Sequence, residues 1–170
     1  MTEMSLDDVL AALDLRRCSP DTFLGTCLPL PGERVFGGQF LAQAVVAAGR
    51  TVGDTTAPHS LHAYFLRPGD PREPVRFRVD RLRDGHPART RSVEAVQHGR
   101  TVFHLLASFR DPESGPCHQD TAPVVPAPET LPHRYPFGAS TGPLVLCRVP
   151  DGARGSGGAR GSGGARGSGD

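Results

Sequence analysis

Lysine is absent: the 19 basic residues are all arginine, set against 18 acidic ones, for a formal net charge of +1 over 170 residues. Such a balance excludes a chain whose main work is wrapping nucleic acid or coating an anionic membrane. No window approaches the about 20 consecutive apolar residues that a helix needs to cross a bilayer. The N-terminal stretch carries Glu3, Asp7, Asp8 and Asp14 where a secretory signal needs positive charge and then an apolar run. Cysteine is sparse as well. Cys18, Cys27, Cys117 and Cys147 show no CxxC spacing and are too few for a disulfide scaffold, so reduced thiols in the cytoplasm are the expectation.

What is present is unevenly spread. Residues 111–150 hold 9 of the 17 prolines. Each proline removes an amide donor and restricts its neighbour, so 112–150 reads as an extended linker and not as a helix or a central strand. From Gly152 to Gly169 the hexapeptide Gly-Ala-Arg-Gly-Ser-Gly occurs three times. No side chain there can offset the entropy of chain ordering by burial, and residues 151–170 are expected to be disordered. Glycine at every third position matches a collagen triplet formally, but the repeat has no proline to stabilise a triple helix.

The remaining residues pattern as a folded unit. Ser5 to Leu15 starts with an N-cap residue, has acids in its first turn and sets Leu6, Val9, Leu10 and Leu13 on one face. It predicts a short amphipathic helix within an N-terminal unit of residues 1–18. Thr22 to Leu28 reads as a leading strand. Gly37 to Gly49 predicts a helix whose only polar side chains are Gln39 and Gln43, one turn apart. A helix apolar almost all round must be enclosed by protein. Four alternating strands follow: Ser60 to Arg67, Val75 to Leu82, Arg89 to Gln97 and Thr101 to Arg110. Asp84-Gly85 and His98-Gly99 separate the last three and predict hairpin turns at positive φ. A buried helix followed by an antiparallel meander describes an α+β arrangement, a sheet curled around a central helix.

Several segments together carry a family resemblance. Arg34-Val-Phe-Gly-Gly-Gln-Phe-Leu-Ala-Gln-Ala44, His59-Ser-Leu-His-Ala-Tyr-Phe-Leu-Arg-Pro-Gly-Asp70, Asp80-Arg-Leu-Arg-Asp-Gly85 and Ala107-Ser-Phe109 resemble, in this order, the first half of the type II acyl-CoA thioesterases. The similarity extends to His118-Gln-Asp120 and ends near Leu131. The resemblance implies a single hotdog domain over residues 19–111. It also implies hydrolysis of fatty acyl-CoA to free acid and coenzyme A, with no metal or redox cofactor. Members carry two hotdog domains in tandem, and their Asp, Thr or Ser, and Gln catalytic set lies in the second. This sequence leaves the family pattern around His133, so none of those three residues is carried over. The expectations are therefore a thioesterase half that is weak or inactive alone, a non-catalytic acyl-CoA-binding or dimerisation module, or a shortened or frame-shifted product. A homodimer, or pairing with another hotdog domain, would cover its sheet. Nucleic acid and membrane are not expected partners.

Ligand-lining candidates follow from the chemistry of a thioester. The helix start at Gly37, Gly38 and Gln39 can offer free amides to an oxyanion, or its glycines can simply permit tight packing. Gln39 and Gln43 can hold a water but cannot take its proton, and Gln43 can equally satisfy buried backbone or bridge to a second domain. His59 shares strand parity with Leu61, Ala63 and Phe65, making it either the titratable candidate on the inner face or a packed structural residue. Arg67 can meet a coenzyme A phosphate or pair with a surface acid. No carboxylate lies between Gln39 and Gly49, and no cysteine sits in a nucleophile motif.

Overall fold

The structure, a computed structural model, describes residues 4–28, 30, 33–131, 134–136, 145–147 and 149. Helix α1 (Leu6–Leu13) opens with a capping box: the Ser5 hydroxyl accepts from the Asp8 amide at 3.1 Å, and the Asp8 carboxylate accepts from the Ser5 amide at 2.8 Å. Its buried side differs from the expected one. Leu6 and Leu10 are 59% and 55% exposed, whereas Ala12 and the following Leu15 are buried. The small Ala12 lets α1 approach the central helix closely enough for Gln43 Nε2 to reach the Ala12 carbonyl at 2.8 Å, and this contact turns the larger leucines outward.

Six antiparallel strands form one sheet in the order β1-β2-β4-β5-β6-β3. They are β1 (Arg16–Ser19), β2 (Thr22–Gly25), β3 (Ala57–Phe65), β4 (Val75–Asp84), β5 (Ala88–Gln97) and β6 (Arg100–Arg110). The sheet therefore begins at Arg16, and the boundary expected after residue 18 falls inside β1. Helix α2 (Gly37–Gly49) crosses the inner face and touches β2 through β6. Phe23, Phe77, Val93, Ala95, Phe103 and Leu105 rise from the strands to meet Phe40, Ala44, Ala47 and Ala48 of α2. Alternation explains the strands, because one side of each is a run of these residues. The alanines explain the closeness of helix to sheet.

The β5–β6 hairpin has the expected geometry: His98 and Gly99 take φ of 49° and 71° between Gln97 and its register partner Arg100. The β4–β5 connection does not. β4 runs through Asp84, and the chain reverses over residues 85–87 with a cis His86–Pro87 bond and no positive φ at Gly85. The Asp84 carboxylate is held back by the Arg91 guanidinium from the facing strand, so this dipeptide ends a strand and is not a two-residue turn. Beyond Arg110 the chain is exposed until a 3-10 turn at Pro128–Thr130, where Leu131 is buried. Strands β7 (Arg134–Pro136) and β8 (Val145–Cys147) form a separate two-stranded ladder. The repeat at 151–170 lies outside the described residues.

Candidate functional site

The start of α2 meets the end of β3. Phe65 packs against Gly37, where an added Cβ would lie 2.8 Å from its ring, and Phe36 closes on Gly38 in the same way at 2.4 Å. The two glycines therefore serve close packing at the point where the helix amides begin. Phe36, the N-cap residue, makes no side-chain cap. Phe65 also stacks edge-on against the buried Phe103, with ring centroids 5.0 Å apart. Even so, Phe65 is 60% exposed and Leu61 46%, although both belong to the helix-facing side of β3. The reason is topological: β3 ends the sheet, and α2 covers the middle. An apolar strip is left open beside the helix start, along a strand with one unpaired edge.

The two glutamines are fully engaged elsewhere. Gln39 Nε2 donates to the Thr26 carbonyl at 2.9 Å, while its Oε1 accepts from the Leu28 amide at 3.0 Å. Gln43 Nε2 donates to the same Thr26 carbonyl at 2.9 Å as well as to Ala12, and its Oε1 accepts from Gln39 at 3.3 Å. Of the uses open to them, satisfying buried backbone is the one observed. No acid lies on the α2 segment, so the helix offers no proton acceptor.

His59 falls on an irregularity of β3. A bulge between Pro58 and Ser60 inserts His59 as an extra residue against β6, so the parity of Leu61 and Phe65 does not extend back through it, and His59 is exposed. Arg67 stands just past the strip, exposed, with Nη1 donating to the Thr101 carbonyl at 2.7 Å. It has no carboxylate partner among the described ion pairs. Nearby, Asp70 accepts from the Arg72 amide and side chain, which hold its carboxyl below the usual aspartate range; His98 lies 3.4 Å away. The Cys27 thiol is pushed up by burial and points at the Glu73 carbonyl, which makes it a poor nucleophile. Among the described residues no group of acids, histidines and cysteines is arranged to hold a metal.

One buried charge escaped the sequence reading. Arg91 shares strand parity with Val93 and Ala95 and is almost fully buried. It donates to Thr51 Oγ1 at 2.8 Å, to the carbonyls of Thr51, Arg83 and Thr90, and to the Asp84 carboxylate. The pattern of the strand carried the signal: an arginine on the apolar side of an alternating segment needs a full set of acceptors. On the other side of the sheet, Ser92 and His104 share a 3.0 Å hydrogen bond, and Tyr64 meets His62 edge-on at 4.8 Å.

A helix held in a curled antiparallel sheet, with glycines at its start against the edge strand, defines the hotdog class of domains. A protein of unknown function with a hotdog fold from Alicyclobacillus acidocaldarius shares this fold, with a TM-score of 0.67 over 78% of this chain and 50% of that one at 22% identity. Residues 28–110 match the family described as acyl-CoA thioesterase N-terminal domain. Human acyl-coenzyme A thioesterase 8 is 44% identical over 124 residues, which are 72% of this chain and 39% of that protein. The crystal structure of an acyl-CoA thioesterase II, TesB2, from Mycobacterium marinum superposes with a TM-score of 0.65 at 42% identity, covering 73% of this chain and 45% of its own. Residues 28–110 thus form a hotdog domain of the acyl-CoA thioesterase N-terminal family. The chain spans about two fifths of the length of the curated relatives it matches.

Proposed function

We propose that this chain serves the hydrolysis of fatty acyl-CoA to free acid and coenzyme A, contributing the acyl-binding flank of a paired hotdog assembly. The observation that carries the reading is the open apolar strip of Leu61 and Phe65 beside the glycine start of α2, in a domain of this family. An acyl chain needs such a strip, and the thioester carbonyl needs donors at its end; the amides of Gly37 and Gly38 open α2 beside Phe65, while the Gln39 amide already donates to the Phe36 carbonyl at 3.0 Å. A second hotdog unit, from another copy or another domain, adds its strand to the free edge of β3 and closes the strip. The α2 segment lacks a carboxylate and both its amide side chains are engaged, so the proton acceptor comes from that second unit. The isolated chain is accordingly weak or inactive in turnover.

The same two facts favour a second reading, a non-catalytic module that binds acyl-CoA or only dimerises. One experiment separates the readings: thiol release from palmitoyl- and hexanoyl-CoA, measured beside calorimetric binding and light scattering of the eluted protein. Slow release by a self-associated chain supports the first reading, and binding without release supports the second. Rapid turnover by a monomer overturns the need for a paired unit. The cytoplasm is the proposed compartment. Cys18, Cys27 and Cys117 are free thiols, which agrees with it, and no helix among the described residues is long and apolar enough to cross a membrane.

A further inference from the structure

The end of the domain that holds the open strip also gathers arginines that form no ion pair among the described residues. Arg67 lies two residues beyond Phe65, and its guanidinium is pinned by the Thr101 carbonyl at 2.7 Å. Arg100 is the residue before Thr101, on the tight turn formed by His98 and Gly99, and it is exposed. Arg34 precedes Val35, whose amide donates to the Gly69 carbonyl in the loop that follows Arg67. None of the three forms an ion pair among the described residues. Of the acids of this corner, Asp70 is occupied by Arg72 and faces His98, and Glu33 and Glu73 form no described ion pair with any of the three arginines.

We propose that Arg67 and Arg100, at the mouth of the apolar strip, receive the phosphate groups of the coenzyme A moiety. The inference rests on the acyl-CoA reading and adds the subsite for the nucleotide end. The chemistry of the ligand fixes the arrangement. Its thioester joins an apolar chain on one side to a flexible pantetheine arm on the other, and the charged phosphates lie at the far end of that arm. A strip that takes the acyl chain therefore leaves the phosphates in solvent at its mouth, where Arg67 and Arg100 stand. Arg67 spends one donor on Thr101 and keeps its other N–H groups free. Its guanidinium is already oriented, so less side-chain freedom is lost on contact. Arg100 makes no described side-chain contact and is free to turn toward the same anion. Arg34 flanks the corner and supplies a third positive charge at longer range.

The test is a ladder of ligands titrated calorimetrically into the full chain: palmitoyl-CoA, palmitoyl-dephospho-CoA and palmitoyl-pantetheine, with inorganic phosphate as the small probe. The variants are Arg100→Ala, Arg67→Ala and, as a charge-matched control on the sheet face away from α2, Arg76→Ala. The expected result is a loss of roughly tenfold in palmitoyl-CoA affinity for each of Arg67→Ala and Arg100→Ala, as befits a charge-assisted contact. Palmitoyl-pantetheine binding stays unchanged in both, and Arg76→Ala changes neither. Because Arg67 also holds Thr101, thermal melts accompany the titrations, and Arg100→Ala, which removes no described contact, decides if Arg67→Ala unfolds. Equal weakening by Arg76→Ala, or an unchanged palmitoyl-CoA affinity in Arg100→Ala, overturns the subsite while leaving the acyl reading intact. Binding of phosphate alone, with no gain of palmitoyl-CoA over palmitoyl-pantetheine, also overturns it. Failure of the chain to bind any of the three thioesters sinks the acyl-CoA reading itself.

Discussion

Gln39 and Gln43, one turn apart on α2, direct their side-chain amides at a single acceptor, the Thr26 carbonyl, each at 2.9 Å. Through that oxygen, and through Leu28 and Ala12, they fasten the exit of β2 and the last turn of α1 to the central helix. A buried carbonyl that loses its donor bears a desolvation cost, so these glutamines act as a clamp.

The clamp is expected to be cooperative. Gln43→Met keeps the volume but strips Ala12 of its donor, and costs about 1–3 kcal/mol in urea unfolding. Gln39→Met costs a similar amount by orphaning the Leu28 amide. Since Thr26 keeps one donor in either single variant and none in the double, the double loss exceeds the sum. Strict additivity would show that the shared carbonyl is not the point of coupling.

Gly69 and Gly53 are predicted to respond differently to alanine. A Cβ at Gly69 would lie 2.3 Å from the ring of the buried Phe40 and 3.1 Å from Val35, whereas one at Gly53 meets nothing within 4 Å. Gly69→Ala should destabilise by about 1–3 kcal/mol through overpacking, because Phe40 is enclosed and cannot swing away. Gly53→Ala should stay within about 0.5 kcal/mol. Matched thermal melts of the two variants check the contrast.

The β5–β6 turn holds Gly99 at φ of 71° without a steric cost that any branched residue would incur. Gly99→Val is expected to lose about 1–3 kcal/mol, although no atom lies near the added Cβ. Recovery by Gly99→Asn, which tolerates this backbone region, distinguishes backbone strain from a lost contact.

Acid should loosen the β4–β5 hairpin. The Arg91 hydrogen bond holds the Asp84 carboxyl below its ordinary value of 3.8. With the folded value depressed, the stabilisation is present above the unfolded value and disappears as pH falls through the folded one, so the window lies below about 4. Asp70 and Asp8 shift in the same direction, through Arg72 and Ser5. In unfolding series across this range, Asp84→Asn should flatten part of the decline. A decline identical to that of the parent chain would remove Asp84 from its causes.

Much of the fold was legible beforehand. Local periodicity marked α2, the strands of the meander and the His98–Gly99 turn, because each depends on neighbours within a few positions. Strand β1 escaped notice: Arg16–Ser19 is polar and exposed, and it becomes a strand only by pairing with β2. The parity argument for His59 stops at a bulge, which leaves no mark in a strand's alternation.

The candidate site divides along the same line. The order of residues settled that a helix free of carboxylates follows two glycines, since composition and period-3.6 spacing are properties of the chain itself. Only folding made Leu61 and Phe65 an open strip, because β3 takes the last place in the sheet and α2 meets it without covering these side chains. Folding likewise turned Gln39 and Gln43 into a clamp and gave the buried Arg91 its acceptors from Thr51 and Asp84. Hydrogen-bond partners and solvent cover are supplied by segments remote along the chain, and no local pattern contains them.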